Sequence, residues 1–144
     1  NLQKFTTTWK IEAWNALVDN RPSYMKPLLE KEINAFMQRF DNFRDAEFRS
    51  LKVVSPSEIR LIFGVQDRAR AFDWISLEVE FLEIKDAKLL NFDKVKLVSM
   101  DEGATFLKSD SFAFCIGKYG DTTNMKDSIA YVICDSIKYK EGTF

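Results

Sequence analysis

The fold class is decided by one stretch, residues 63–81, which reads Phe-Gly-Val-Gln-Asp-Arg-Ala-Arg-Ala-Phe-Asp-Trp-Ile-Ser-Leu-Glu-Val-Glu-Phe. Every second residue from Ile75 to Phe81 is apolar, and the residues between them are acidic or small and polar. Such a period of two predicts a β-strand with one buried face. The run at 58–65 alternates in a similar way, so we predict two strands joined by the charged connection 66–71.

Other elements follow from the spacing of apolar residues and from turn residues. The segment 123–136 is ambiguous, because the alternation of Ile129, Tyr131 and Ile133 also fits a strand. Its length and Thr123 as N-cap favour a helix. We predict further strands at 48–54, 95–100, 104–107 and 112–116, and helices at 9–19, 23–40 and 123–136.

Strands that follow one another without intervening helices are typical of an α+β fold with an antiparallel sheet. We therefore predict two N-terminal helices packed on a mostly antiparallel sheet of about six strands, with a C-terminal helix. The 144 residues show no repeat and no Gly/Pro/Ser-rich linker, which favours a single domain over 1–144.

Composition narrows the classes of function. The chain has no histidine, which excludes Ser-His-Asp, Cys-His and His-ligated metal chemistry. Cys115 and Cys134 form no Cys-x-x-Cys pair, so no zinc or redox site is predicted. The net charge of −1 comes from dispersed charges, which argues against direct nucleic-acid binding. Neither a cofactor nor a metal is expected, and we expect no enzyme.

No apolar run reaches the length of a membrane span. The N-terminus lacks the basic-then-apolar layout of a secretory signal, so we expect a cytoplasmic protein without membrane association.

The connection 66–71 and the strand after it hold most of the candidate binding residues. Its plain interpretation is a solvated turn with weak local ion pairs. The functional interpretation is a recognition loop on a rigid sheet, where charge and aromatic area occur together. The candidates in this region are Asp67, Arg68, Arg70, Asp73 and Trp74.

Glu78 and Glu80 are predicted on one strand face, about 6–7 Å apart. We interpret this as an exposed acidic sheet face, with complementarity to a basic partner as the next role and paired acid/base catalysis as the last. The loop Gly117-Lys118-Tyr119-Gly120 is too short for a phosphate loop, and Tyr119 is predicted there as an exposed aromatic contact.

Two segments resemble a known class of proteins. The stretches Gly64-Val65-Gln66-Asp67…Phe72-Asp73-Trp74-Ile75 and Ile116-Gly117-Lys118-Tyr119…Ser136-Ile137-Lys138-Tyr139 are similar to small bacterial proteins of toxin–immunity loci, including immunity proteins of contact-dependent growth inhibition systems. This resemblance implies a cytoplasmic protein that binds a cognate protein toxin, often a nuclease, and blocks it by steric occlusion. Such proteins share no catalytic motif, so the resemblance assigns no residue a role.

The sequence thus leads to two hypotheses. The first is an immunity or inhibitor protein that uses the polar loops and the acidic face, with Trp74 or Tyr119 as aromatic anchors. The alternative is a small-ligand-binding α+β domain, in which the 13 phenylalanines line a pocket instead of filling a core.

Overall fold

The computed structural model describes residues 25–144. Over this range the chain forms seven strands and two short helices, with 3₁₀ turns at Glu30–Glu32, Asp41–Phe43, Arg68–Arg70 and Phe92–Leu97. In chain order the elements are β1 Lys26–Pro27, α1 Ile33–Arg39, β2 Glu47–Ser55, β3 Glu58–Asp67, β4 Asp73–Lys88, β5 Ala104–Lys108, β6 Phe112–Ile116, α2 Thr122–Met125 and β7 Tyr131–Thr143.

All pairings within this sheet are antiparallel. The strand order is β2-β3-β4-β7-β6-β5, and β1 pairs with the C-terminal half of β7. The last strand of the chain therefore lies in the middle of the sheet, while β2 and β5 are the edges among the described strands.

The core lies on one face of the sheet, beneath α1 and the turns that flank it. The alternation in β4 is realised as predicted, because Ile75, Leu77, Val79 and Phe81 are each at most 3% exposed. Neighbouring phenylalanine rings contact one another with centroids 5.0 to 6.5 Å apart, mostly edge-on or tilted. The described phenylalanines of this cluster are Phe36, Phe40, Phe43, Phe48, Phe63, Phe81, Phe106 and Phe114.

The prediction of two N-terminal helices and a C-terminal helix is wrong. Of the helix predicted at 23–40, only Ile33–Arg39 is α-helical, because residues 26–27 are extended and pair with β7. Leu28 continues this extended segment: its N–H donates to Ile137 O over 2.9 Å, and its side chain is buried. The first predicted helix, 9–19, lies outside the described residues.

Of the C-terminal helix predicted at 123–136, only residues 123–125 are helical, and residues 131–136 belong to a strand. Helix α2 covers only Thr122–Met125, and β7 follows from Tyr131. Glu83 in β4 adopts a left-handed φ of 56°, and the pairing of β4 with β7 is irregular between Ile84 and Asp86. Beyond Glu83, Ile84 and Cys134 face the core, although strict alternation from Phe81 and Ile137 would turn them outwards. The resulting spacing of buried residues in β7 imitates a helical period.

The strand predicted at 95–100 is also wrong. Residues Phe92–Leu97 form a 3₁₀ turn, in which Val95 is buried, and Met100 is buried just after it. The predictions for β2, β3, β5 and β6 are confirmed to within two residues at each end. Within residues 25–144, no helix has both the length and the apolar character that crossing a membrane requires.

Candidate functional site

The predicted binding residues lie in four different places. Asp67 is buried, whereas the turn between β3 and β4 exposes its charged and aromatic side chains. Glu78 and Glu80 lie half-buried on the polar face of the sheet. Tyr119 lies after β6, at the far side of the sheet from β3 and β4. The exposed members at the turn are Arg68, Arg70, Asp73 and Trp74.

Asp67 forms a two-pronged ion pair with Arg39 of α1. Arg39 Nε and Nη2 donate to the two carboxylate oxygens, each over 2.8 Å, and the Asp67 side chain is fully buried. This hydrogen bonding to Arg39 holds the pKa of the Asp67 carboxyl below its ordinary value. Asp67 therefore ties the helix to the sheet, and its carboxylate has no surface for a partner to contact.

The same carboxylate shapes the turn that follows it. Ala69 N–H donates to Asp67 Oδ1 over 2.9 Å, and Phe72 N–H donates to Asp67 O over the same distance. Ala71 and Phe72 both adopt left-handed φ angles, 56° and 64°. The turn is thus held by side-chain and backbone hydrogen bonds at its start, and this geometry leaves Phe72 and Trp74 exposed.

In the part of the chain that the structure describes, three aromatic rings are exposed around this turn. Phe72 is 54% exposed, Trp74 is 40% exposed and Phe144 is 51% exposed. The Trp74 and Phe144 ring centroids are 5.6 Å apart, and the Arg49 guanidinium lies 4.4 Å from the Phe144 centroid, within cation–π range. We call this region the aromatic–arginine surface; its members are Arg49, Arg68, Arg70, Phe72, Trp74 and Phe144.

Gly64 makes room for Phe144 on the sheet. A Cβ atom at this position would lie 2.9 Å from Phe144 Cε2 and 3.1 Å from Glu47 Oε2. Any side chain here would push the ring away from Trp74. The absence of a side chain at Gly64 therefore helps to assemble the aromatic–arginine surface from segments 80 residues apart.

The face that carries Glu78 and Glu80 is not purely acidic. Glu78 lies opposite Lys140, and Glu80 lies opposite Arg60 on one side and Lys138 on the other. Arg60 Nη2 is 3.6 Å from Glu80 Oε1. Burial raises the pKa of Glu80, and the nearby Arg60 opposes that shift. Cross-strand pairing therefore neutralises much of the charge that the sequence alone predicts to be free.

Tyr119 borders an open groove of about 620 Å³. One wall is α1, with Ile33 and Met37, and the other is the edge strand β5 with the loop that follows β6. The Thr105 hydroxyl donates to Gly117 O over 2.7 Å and accepts from Tyr119 N–H over 3.2 Å, which fixes this loop against β5. We call this concavity the β5 groove.

The two cysteines lie on opposite faces of the sheet. Cys134 belongs to the main core, whereas Cys115 packs with Ala113 and Met125 beneath α2. Both are buried free thiols. Burial raises the pKa of Cys115 to about 11 and that of Cys134 to about 12, so both are unreactive near neutral pH. In the described part of the chain, no three Cys, Asp or Glu side chains are grouped as metal ligands.

Sequence reasoning missed three members of the aromatic–arginine surface. Phe72 carried a signal, since it is a large apolar residue inside a charged turn. Arg49 and Phe144 carried none, because their proximity depends on the pairing of β2 with β3 and of β7 with β4.

Comparison of the chain with protein-family models, with curated proteins and with solved structures finds no match.

Proposed function

We propose that this protein is an inhibitor of the immunity type, which binds one cognate toxin domain and blocks it by steric occlusion. The observation that supports this proposal best is the aromatic–arginine surface. Tryptophan and arginine dominate the residues that contribute most to protein–protein affinity, and large exposed aromatics adjoining arginines are typical of such sites. The resemblance of residues 64–75 and 116–139 to immunity proteins supports the same class.

Rigidity of the surface supports a tight complex. The turn is anchored by the ion pair of Arg39 with the buried Asp67, and Trp74 is the second residue of β4, a strand that is paired on both sides. A binding surface that needs little ordering on association loses less conformational entropy. We therefore assign Trp74 and Phe72 as anchors, with Arg68 and Arg70 contacting acidic or carbonyl groups of the toxin.

The charged face has a secondary role in this proposal. Glu80 forms an ion pair with Arg60, and both glutamates lie opposite lysines of β7, so they contribute to specificity at the rim and not to the centre of the complex. Reversal of both charges would place lysines beside Lys138 and Lys140, which would destabilise the sheet. Neutral Gln substitutions are therefore the appropriate probes.

The alternative function, a phenylalanine-lined ligand pocket, has less support. The phenylalanine rings contact one another across the helix–sheet interface, as packed core residues do. The concavity beside them, the β5 groove, is open, and among residues 25–144 Phe106 is the single phenylalanine that lines it.

Growth protection tests the proposal. The C-terminal domain of a large secreted protein encoded beside this gene would be expressed in a host cell with and without the present chain. We expect growth arrest by the toxin domain alone and normal growth when both are expressed, with a 1:1 complex on size-exclusion chromatography. Growth arrest in both cases, with the chain folded and expressed, would contradict the proposed function.

A further inference from the structure

The hydrogen bonds at the two ends of the edge strand β5 show which of its residues bond to β6 and which point away from the sheet. Gly117 N–H donates to Gly103 O over 2.8 Å, and Ser109 N–H donates to Ser111 O over 3.1 Å. In an antiparallel ladder, hydrogen-bonded and non-bonded pairs alternate. Thr105 and Leu107 therefore exchange hydrogen bonds with β6, while the N–H and C=O groups of Ala104, Phe106 and Lys108 point away from the sheet.

These outward groups have no partner among residues 25–144. No turn, loop or cap hydrogen bond within that range involves the backbone N–H or C=O of Ala104, Phe106 or Lys108, and no described strand pairs with β5 on the side away from β6. Two of the three residues, Ala104 and Phe106, also line the β5 groove. The groove is therefore bordered by a row of backbone donors and acceptors, repeated every second residue.

The groove also offers side-chain contacts. Ile33, Met37 and Phe106 give it an apolar lining, and Lys118 and Tyr119 lie at its loop side. Its other charged lining residues are Arg44, which pairs with Asp41, and Glu102, so an acidic ligand side chain has to lie on the Lys118 side. Lys118 is exposed and forms no ion pair within the described chain. At neutral pH this lysine attracts a carboxylate placed beside the strand.

We propose that the β5 groove binds an extended peptide segment of a partner protein by strand addition to β5, with an acidic side chain of that segment beside Lys118. The inference does not depend on the proposed toxin partner, because the aromatic–arginine surface is built from other strands. It assigns the chain a second binding site.

The spacing of the outward groups selects this type of ligand. Residues two apart on a strand are separated by about 6.7 Å, and only another extended chain offers donors and acceptors at the same repeat. A compact small molecule could use one donor–acceptor pair but not the row of three residues. Alternate side chains of the added strand would then face the apolar lining between α1 and β5.

The test uses the full chain and decapeptides selected from a random displayed library, with the best one labelled for fluorescence anisotropy. Two synthetic versions of this peptide would carry N-methyl groups on alternate amides, in opposite phases. We expect one phase to weaken binding at least tenfold and the other to leave it nearly unchanged, because only one set of amides bonds to β5. A Lys118→Glu variant should also weaken binding at least fivefold, whereas Lys94→Glu, an exposed lysine outside the groove, should not.

A second variant tests the strand itself. Ala104→Pro removes one outward N–H while leaving the ladder with β6 intact, and proline is tolerated at such edge positions. It should abolish peptide binding without changing circular dichroism. If this variant does not fold, the N-methyl series still decides, since it uses the unaltered protein.

Three results would overturn the proposal. They are the absence of any enriched peptide, equal binding of both N-methylation phases, and binding that persists in folded Ala104→Pro. A synthetic peptide of residues 1–24 that binds the groove, with no library peptide enriched, would assign the groove to the chain's own segment. Saturable binding of a small metabolite-like compound instead of any peptide would assign it to a small ligand.

Discussion

Gly103 lies against the turn around Asn42, just before the edge strand β5. Its φ is +79°, and a Cβ there would lie 2.0 Å from the backbone oxygen of Asn42. Neither the dihedral angle nor the contact tolerates a side chain, and backbone atoms cannot move aside as a flexible side chain can. The turn around Asn42, which lines the β5 groove, can therefore pack here only because Gly103 has no Cβ atom.

We predict that Gly103→Ala lowers the free energy of unfolding by at least about 2 kcal/mol. Gly120→Ala is the matched control, because a Cβ there meets nothing within 4 Å. Urea denaturation followed by tryptophan fluorescence measures both. Equal stability of the two variants would show that the Asn42 turn does not pack against Gly103 as described.

A second prediction at this scale concerns Asp67. Because pairing with Arg39 lowers its pKa from the ordinary value of 3.8, the ionised carboxylate stabilises the fold above that value. This stabilisation is lost as the pH falls through the lower pKa of the folded state. Asp67→Asn should cost about 2 to 3 kcal/mol at pH 7, less than for a fully buried pair since Arg39 remains 25% exposed.

The pH dependence separates this effect from a general loss of packing. The difference in unfolding free energy between the native chain and Asp67→Asn should be largest above about pH 5 and should shrink towards pH 2. Asp73→Asn changes an exposed carboxylate with no ion pair in the described chain, and it should change stability by less than about 0.5 kcal/mol. A pH-independent deficit in Asp67→Asn would contradict the ion-pair explanation.

At the scale of elements, the sequence predicted β2, β3 and β4 well because their patterns are local. One face of this three-stranded unit is buried and the other polar, so the period of two is visible directly in β4. The hairpin of β5 and β6 was also predictable, since polar residues punctuate two short apolar runs.

The failures at this scale have two physical causes. In β7 the positions that face the core change phase opposite Glu83 of β4, so Val132, Cys134 and Ile137 do not follow a period of two. In residues 26–28, pairing with β7 overrides the helical spacing that continues into α1. In both cases the conformation is set by pairing with a strand more than 50 residues away in the sequence. Local periodicity does not reveal such pairing.

We predict that the rate of amide hydrogen exchange alternates from residue to residue along β5. The amides of Thr105 and Leu107 should exchange slowly, because they bond to β6, whereas those of Ala104, Phe106 and Lys108 should exchange quickly. Amides of β7, which is paired on both sides, should be among the slowest. Resolved NMR exchange rates test this alternation, and uniform protection over 104–108 would show that another segment of the chain covers the edge.

At the scale of the whole molecule, the candidate site combines predictable and unpredictable parts. A charged turn with arginines and a tryptophan was identified from sequence, because recognition residues favour loops that a rigid sheet supports. The burial of Asp67 was not, since its partner Arg39 lies 28 residues away on a helix. Phe144 joins the surface only because β7 inserts beside β4.

The pairing of charged residues could not be predicted from the sequence either. Glu78 and Glu80 form an acidic pair along one strand, yet the neighbouring strands place Arg60, Lys138 and Lys140 beside them. The sequence order contains all these charges, but only the strand order determines which of them meet. A net charge of −1 for the whole chain is consistent with such local compensation.

The most direct test of the proposed function is the affinity of the cognate toxin domain for Trp74→Ala, measured by isothermal titration calorimetry. If Trp74 anchors the complex, its loss should weaken binding by about 30-fold or more, which corresponds to about 2 kcal/mol. Leu97→Ala is the control, because Leu97 is an apolar side chain that is 81% exposed and lies outside the aromatic–arginine surface. A change of less than threefold for Trp74→Ala, or equal weakening by Leu97→Ala, would contradict the assignment of this surface to toxin binding.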